Sequence, residues 1–318
     1  MRAKRLRRFI RLAISVAALL SLFAVFYEPD LSRAELVGYQ NAASRFINID
    51  GQSVHYRREG NPEKPALLLI HGTASSLHTW DGWVTALEAD FDLVRLDLPA
   101  FGLTGPAPDR DYRITRYVAL VDAFATSLEL DYFAIAGNSL GGHIAWQYTL
   151  THPAKVQAQI LIDPSGFIDP DDEPPLAFKL ARTPIVNRVM PLFAPRRLYE
   201  KSVYDVYGDD SKVTETLIDR YFNLSLFEGN RQAFVDRALQ SERPPVERLT
   251  EIQTPTLILW GEDDLWIPVK DATKFAAAIN ESELIIYPGA GHVPMEEIPV
   301  ITANDARRFL TAQQGADQ

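Results

Sequence analysis

The chain has 318 residues, is 47% hydrophobic and 23% charged, and carries a formal net charge of −10, an ordinary composition for a folded globular protein. Six cations and no acid fall within the first eleven residues, so the remainder stands at −16, an acidic body that argues against nucleic acid as a partner. With no cysteine, disulfides, thiolate nucleophiles and Cys-ligated zinc are excluded.

Behind the basic run, Leu12 to Tyr27 is sixteen residues without a charge, and with Phe9, Ile10 and a snorkelling Arg11 the stretch reaches nineteen. That length crosses a bilayer as a helix. Around its end, Leu22-Phe23-Ala24 and Phe26-Tyr27-Glu28-Pro29 make a poor cleavage site. Residues 1–30 are therefore read as a basic region and a membrane anchor, and the positive-inside rule puts the body on the exported side. Secretion after signal cleavage is the alternative.

Farther along, short apolar runs alternate with helical patterns. Arg45 to Ile49 and Ser53 to Arg58 flank Asp50-Gly51, a hairpin dipeptide. Further strands are expected at Ala66 to Ile70, Phe91 to Leu96, Tyr132 to Ala136, Gln159 to Ile162, Thr256 to Trp260 and Glu283 to Tyr287. Helices are expected at Thr79 to Glu88, Thr115 to Leu128, Leu140 to Thr151, Val269 to Ile279 and Ile298 to Ala312. The alternation predicts an α/β fold, a mostly parallel central sheet covered by helices on both faces. It lapses between 167 and 249, a proline-rich stretch with helical pieces and no convincing strand, read as a helical cap inserted between core segments 31–166 and 250–318.

One motif carries chemistry by itself. Gly137-Asn138-Ser139-Leu140-Gly141 follows a strand and precedes a helix, the context of a G-x-S-x-G nucleophile elbow. Glycines flank the serine because a sharp strand-to-helix turn leaves no space for a Cβ, and the helix N-terminus favours developing negative charge. A serine hydroxyl is a weak nucleophile, so it needs an imidazole to take its proton and a carboxylate to orient that imidazole. Of the six histidines, only His292 sits in a Gly-rich loop directly after the last strand. His55, His78, His143 and His152 read as surface or helix residues, and His71 as a loop-shaping one.

With these motifs in order, residues 45–313 resemble the α/β-hydrolase superfamily. His71-Gly72 resembles its oxyanion loop, and Asp97-Leu98-Pro99-Ala100-Phe101-Gly102 its D-x-P-G-x-G turn, with Ala100 in place of glycine. Trp260 to Pro268 resembles the acid loop and Gly289 to Pro294 the histidine loop. The resemblance implies Ser139, Asp264 and His292 as catalytic residues; Asp263, adjacent, and Asp163, after the sixth strand, remain open as the acid. It also implies backbone N–H groups of Thr73 and Leu140 as the oxyanion hole. Trp80, Phe101, Phe167 and Trp266 lie beside these loops and are candidates for an apolar substrate pocket or, equally, for core. No metal and no organic cofactor is implied.

The expected reaction is hydrolysis of a small or medium apolar carboxylic ester through an acyl-enzyme, with the membrane as the only other partner. Carbon–carbon bond hydrolysis is the rival, because Gly137 to Gly142 is similar to the elbow of meta-cleavage product hydrolases. A catalytically silent, membrane-tethered binding protein is the reading from a different class.

Overall fold

The computed structural model describes residues 5, 7–11, 13–15, 17, 27–169 and 173–316. Most of the anchor expected at 12–27 thus lies outside the described residues, among which no helix is long and apolar enough to cross a membrane.

The strands are β1 (Ser44–Ile49), β2 (Gln52–Gly60), β3 (Ala66–Ile70), β4 (Asp92–Leu96), β5 (Phe133–Asn138), β6 (Val156–Ile162), β7 (Thr256–Gly261) and β8 (Ser282–Tyr287). They form one sheet in the order β1-β2-β4-β3-β5-β6-β7-β8. The β1–β2 and β2–β4 pairs are antiparallel and all others parallel. The first pair turns through Asp50 and Gly51, with φ of 51° and 85°, the left-handed geometry that a two-residue hairpin requires.

Side chains alternate along each central strand, and here both faces are covered. Leu68, Ile70, Phe133, Ile135, Ile258 and Trp260 enter one apolar core. Leu67, Leu69, Ala134, Ala136, Leu257 and Leu259 enter the other. Helices Ile114–Ser127, Leu140–Thr151 and Lys270–Ala278 close the first face through residues such as Phe124, Ile144 and Phe275. Helices Asp81–Leu87 and Pro299–Ala316 close the second through Trp83, Leu87, Ala306 and Phe309. This is why these strands are unbroken apolar runs.

Between β6 and β7 the described residues contain helices and no strand: Leu176–Arg182, Val186–Val189, Arg196–Val206, Glu215–Ser225 and Asn230–Leu239. Thr214 starts one of them by accepting the Leu217 N–H at 3.2 Å. Val203, Val206 and Ile218 join the second core, whereas Ala181, Val235 and Ala238 form a small cluster of their own with Phe178 and Met190. A strap just after the N-terminal region is fastened to this insertion. Leu31 donates to Leu226 O at 2.7 Å and accepts from Glu228 N at 3.1 Å. The Arg231 guanidinium donates to Glu28 O and to the Asp30 carboxylate, both at 2.7 Å.

Two aromatics left open between pocket and core lie in the core, and two histidines read as surface or helix residues lie in the interior. Trp80 is fully buried and packs edge-on against Trp83 in the second core. Phe101 is buried edge-on against His71 in the first core. Both are core aromatics. His55 and His78 are interior residues, not surface ones: His55 Nδ1 meets the buried Asp97 carboxylate at 2.7 Å, and burial pushes His78 down to about 4.

Candidate active site

The site is built where β5 turns into the Leu140–Thr151 helix. Ser139 has φ 54° and ψ −114°, a region an L-residue occupies only when its surroundings enforce it. A Cβ on Gly137 would lie 2.2 Å from Gly141 O, and one on Gly141 would lie 2.1 Å from Ile70 O, so the turn closes only with glycine at both positions. Asn138 fastens the elbow by donating from Nδ2 to His292 O at 2.9 Å and to Ile162 O at 3.2 Å.

Two loops converge on this elbow. After β8, His292 presents Nδ1 to Asp264 Oδ2 at 2.6 Å, both side chains being buried. The other oxygen of Asp264 accepts the Trp266 and Ile267 N–H groups at 2.7 and 2.9 Å, which fixes the carboxylate's orientation. With Nδ1 engaged, the imidazole has Nε2 free for proton transfer. Glu297 supports the loop, accepting from Gly291 N at 2.8 Å and from Gly208 and Asp209 N at 3.1 and 2.9 Å. Asp263 is exposed and not directed at the imidazole by any contact among the described residues.

Asp163, at the end of β6, is fully buried with φ 42°. Its Oδ1 accepts Gly261 N–H at 3.0 Å, and its Oδ2 has no hydrogen-bond partner among the described residues. Burial, reinforced by the Asp264 charge, pushes its pKa well above the usual carboxylate range and so favours the neutral form. Asp163, Asp264 and His292 bring potential ligand atoms within 4.8 Å of one another. The 2.6 Å contact from Nδ1 to Oδ2 is a hydrogen bond, however, and leaves no position for an ion between those two atoms.

Thr73 and Leu140 border the same cavity as Ser139 and His292, a space of about 310 Å³. Leu140 is the first helical residue, so its N–H has no intrahelical acceptor and is available to an oxyanion. His71 shapes the loop carrying Thr73: Nδ1–H donates to Gly72 O at 2.7 Å and Nε2 accepts Leu98 N–H at 2.9 Å, the neutral tautomer that its burial favours. Of the four pocket candidates, Phe167 and Trp266 line the cavity; Trp80 and Phe101 do not. Its far wall comes from the insertion through Phe178, Arg182, Arg237 and Gln240.

The profile of the "Alpha/beta hydrolase family" matches residues 67–305. The chain belongs to this family. It is 27% identical over 297 residues to the 2-hydroxy-6-oxo-6-(2'-aminophenyl)hexa-2,4-dienoic acid hydrolase of Metapseudomonas resinovorans, covering 88% of this chain and 96% of that one. To a monoacylglycerol lipase of Xenopus laevis it is 26% identical over 272 residues, covering 82% and 80%. Among solved structures it is similar to a membrane phospholipase A described as a bacterial virulence factor, with a TM-score of 0.73, 26% identity and 99% of each chain covered.

In this hydrolase, the sequence reading missed residues whose role depends on packing. Asn138 and Glu297 tie the elbow and the histidine loop in place, and only Asn138 carried any signal, as part of the elbow motif. His143, one turn beyond Ser139, is on the Leu140–Thr151 helix but not at the surface: it is buried on the cavity wall, stacked on Trp146 at 4.8 Å, and burial pushes it down to about 3.

Proposed function

We propose that this hydrolase cleaves carboxylic esters through an acyl-enzyme, with Ser139 as nucleophile, His292 as general base and acid, and Asp264 as the orienting carboxylate. The observation that carries the reading is the 2.6 Å contact of His292 Nδ1 with Asp264 Oδ2, on a cavity shared by His292 and a strained Ser139. Ser139 Oγ attacks the carbonyl as His292 takes its proton, and the oxyanion meets the N–H groups of Thr73 and Leu140. The imidazolium protonates the leaving alcohol, and a water deprotonated by His292 then releases the acid. Phe167, Trp266 and Phe178 supply apolar surface for an acyl chain.

Labelling by a fluorophosphonate, lost in Ser139→Ala, together with turnover of p-nitrophenyl esters, tests the reading. An unlabelled wild-type protein would instead favour the silent binding protein. Carbon–carbon bond hydrolysis is the second reading, favoured by the Gly137 to Gly142 elbow and by the similarity to a dienoic acid hydrolase. Turnover of a vinylogous diketone with no ester activity would select it.

We further propose that the N-terminal region anchors the enzyme to a membrane with the catalytic body on the exported side. Its support is the apolar stretch itself, the exposure of Phe9, Ile10 and Ile14, and the end-to-end similarity to a membrane phospholipase A. The protein should then resist carbonate extraction from membranes. Release as a soluble protein shortened by its N-terminus would point to a cleaved signal.

A further inference from the structure

A cation without a counter-ion stands on the wall of the active-site cavity. Arg237, on the Asn230–Leu239 helix, borders the same space as Ser139 and His292. Among the described residues no carboxylate lies within ion-pair distance of its guanidinium, and its Nε is buried with no hydrogen-bond partner. Its neighbour in sequence, Asp236, is taken by Arg110 at 2.6 Å. The acids along the cavity are also engaged elsewhere: Glu173 by Lys179, Asp169 by Lys270 and Asp271 by Lys274. Glu242 is exposed and faces Arg113.

What does face Arg237 is neutral or cationic. The Tyr117 hydroxyl beside it already donates to Pro99 O at 3.0 Å. The Phe178 ring centroid is 6.0 Å from its guanidinium carbon and 5.9 Å from that of Arg182, so two cations flank one aromatic ring on the same wall. Arginine cannot escape such a position by losing its proton, and a buried charge is costly until an anion offsets it. Among the described residues no carboxylate supplies that anion, and the space that Arg237 borders is the cavity that holds the nucleophile.

We propose that Arg237, with Arg182 beside it, is the receptor for an anionic group, a carboxylate or a phosphate, carried by the ester substrate itself. The proposal rests on Ser139 being the nucleophile of an ester hydrolase, and narrows the substrate class to esters bearing a negative charge. Arg237 and His143 both border the cavity, and His143 lies four residues beyond Ser139, about 6 Å of helix rise. The charge therefore belongs several bonds away from the scissile carbonyl, on the acyl or on the alcohol portion. A planar guanidinium suits either anion, because both accept two parallel N–H donors.

The test compares kcat/KM within two matched pairs on the full-length protein. The pair 1-octanoylglycerol and 1-octanoylglycerol 3-phosphate places the anion on the alcohol; p-nitrophenyl pentanoate and mono-p-nitrophenyl glutarate place it on the acyl group. In at least one pair the wild type should favour the anionic member, and Arg237→Gln should lower that anionic-to-neutral ratio by about 10- to 100-fold, mainly through KM, the loss expected for a charge-assisted hydrogen bond. Arg237→Lys should restore part of the ratio. Indifference to the anion in both pairs, or a ratio unmoved by Arg237→Gln, overturns the assignment. Fluorophosphonate labelling keeps the two readings apart: a labelled enzyme indifferent to the anion defeats the role of Arg237 alone, and an unlabelled one defeats the ester hydrolase as well.

Discussion

Amidation of the two buried carboxylates beside His292 should have opposite consequences, because their hydrogen bonds differ. Asp264 Oδ1 accepts two backbone N–H groups and must remain an oxygen, so in Asp264→Asn the amide NH2 takes the place of Oδ2, 2.6 Å from His292 Nδ1. It would then donate to Nδ1, drive the proton to Nε2 and leave the imidazole unable to take a proton from Ser139. In Ser-His-Asp enzymes that tautomer error costs about 10⁴ in kcat, or about 5.4 kcal/mol of barrier. Asp163 is different: one oxygen accepts Gly261 N–H, and burial, with the neighbouring Asp264 carboxylate, raises its pKa and favours the neutral form. Asn is nearly isosteric with it, so Asp163→Asn should stay within roughly threefold of wild-type kcat.

The same group sets a pH signature. A raised carboxyl pKa means that the folded state keeps a proton which the unfolded chain gives up near pH 4. Its contribution is full below about pH 4 and is lost as pH rises toward the folded value, at about 1.4 kcal/mol per pH unit. Asp163→Asn removes that loss, so its Tm advantage over wild type should widen from pH 4.5 to pH 8. Steady-state kinetics normalised to fluorophosphonate-titrated sites, with thermal unfolding across that range, provide both readouts. An inactive Asp163→Asn beside a near-normal Asp264→Asn would exchange the roles, and a Tm difference constant with pH would refute the neutral carboxyl.

Gly141→Ala should abolish activity and yield little folded protein, since its Cβ would sit 2.1 Å from the backbone oxygen of Ile70; near-normal activity and circular dichroism would contradict that geometry. Phe178→Ala should shift the preferred acyl length by changing kcat/KM ratios between short and long p-nitrophenyl esters about tenfold, whereas Leu180, Met190 and Phe193, which do not border the cavity, should leave the profile flat. Asp97→Asn should cost about 3–5 kcal/mol in denaturant unfolding, because Asp97 is a buried acceptor for His55 Nδ1, Leu77 N and Leu103 N. Burial tends to raise its pKa, but the His55 contact outweighs that and holds it low, so its contribution is present above about pH 4 and fades as pH falls.

The sheet was legible because its central strands are covered on both faces and hence are uninterrupted apolar runs. Most starts lie within one residue of the expected ones; the exception, β6, begins at Val156, three residues earlier than expected, and carries Gln157 and Gln159. Buried Gln159 is satisfied by Thr149 and Thr256 from two other elements, partners that periodicity does not reveal. The elbow and the histidine and acid loops were legible through turn chemistry that few other residues can meet. Pocket aromatics were not, because Trp80 and Phe167 present the same apolar character to a core and to a cavity. Arg237 was hidden for the opposite reason: beside Asp236 in an amphipathic helix it looks like part of a solvated face, and only the assembled wall reveals that no carboxylate among the described residues pairs with it.

The strap at residues 28–31 also decides where a pull on the N-terminus is felt. Leu31 is hydrogen-bonded to the chain on either side of Phe227, and Arg231 grips the two residues flanking Pro29, so tension is delivered to the insertion and not to the sheet. If the chain is held from that end, the insertion is the stationary part and the sheet, with Ser139 and His292, is suspended beneath it.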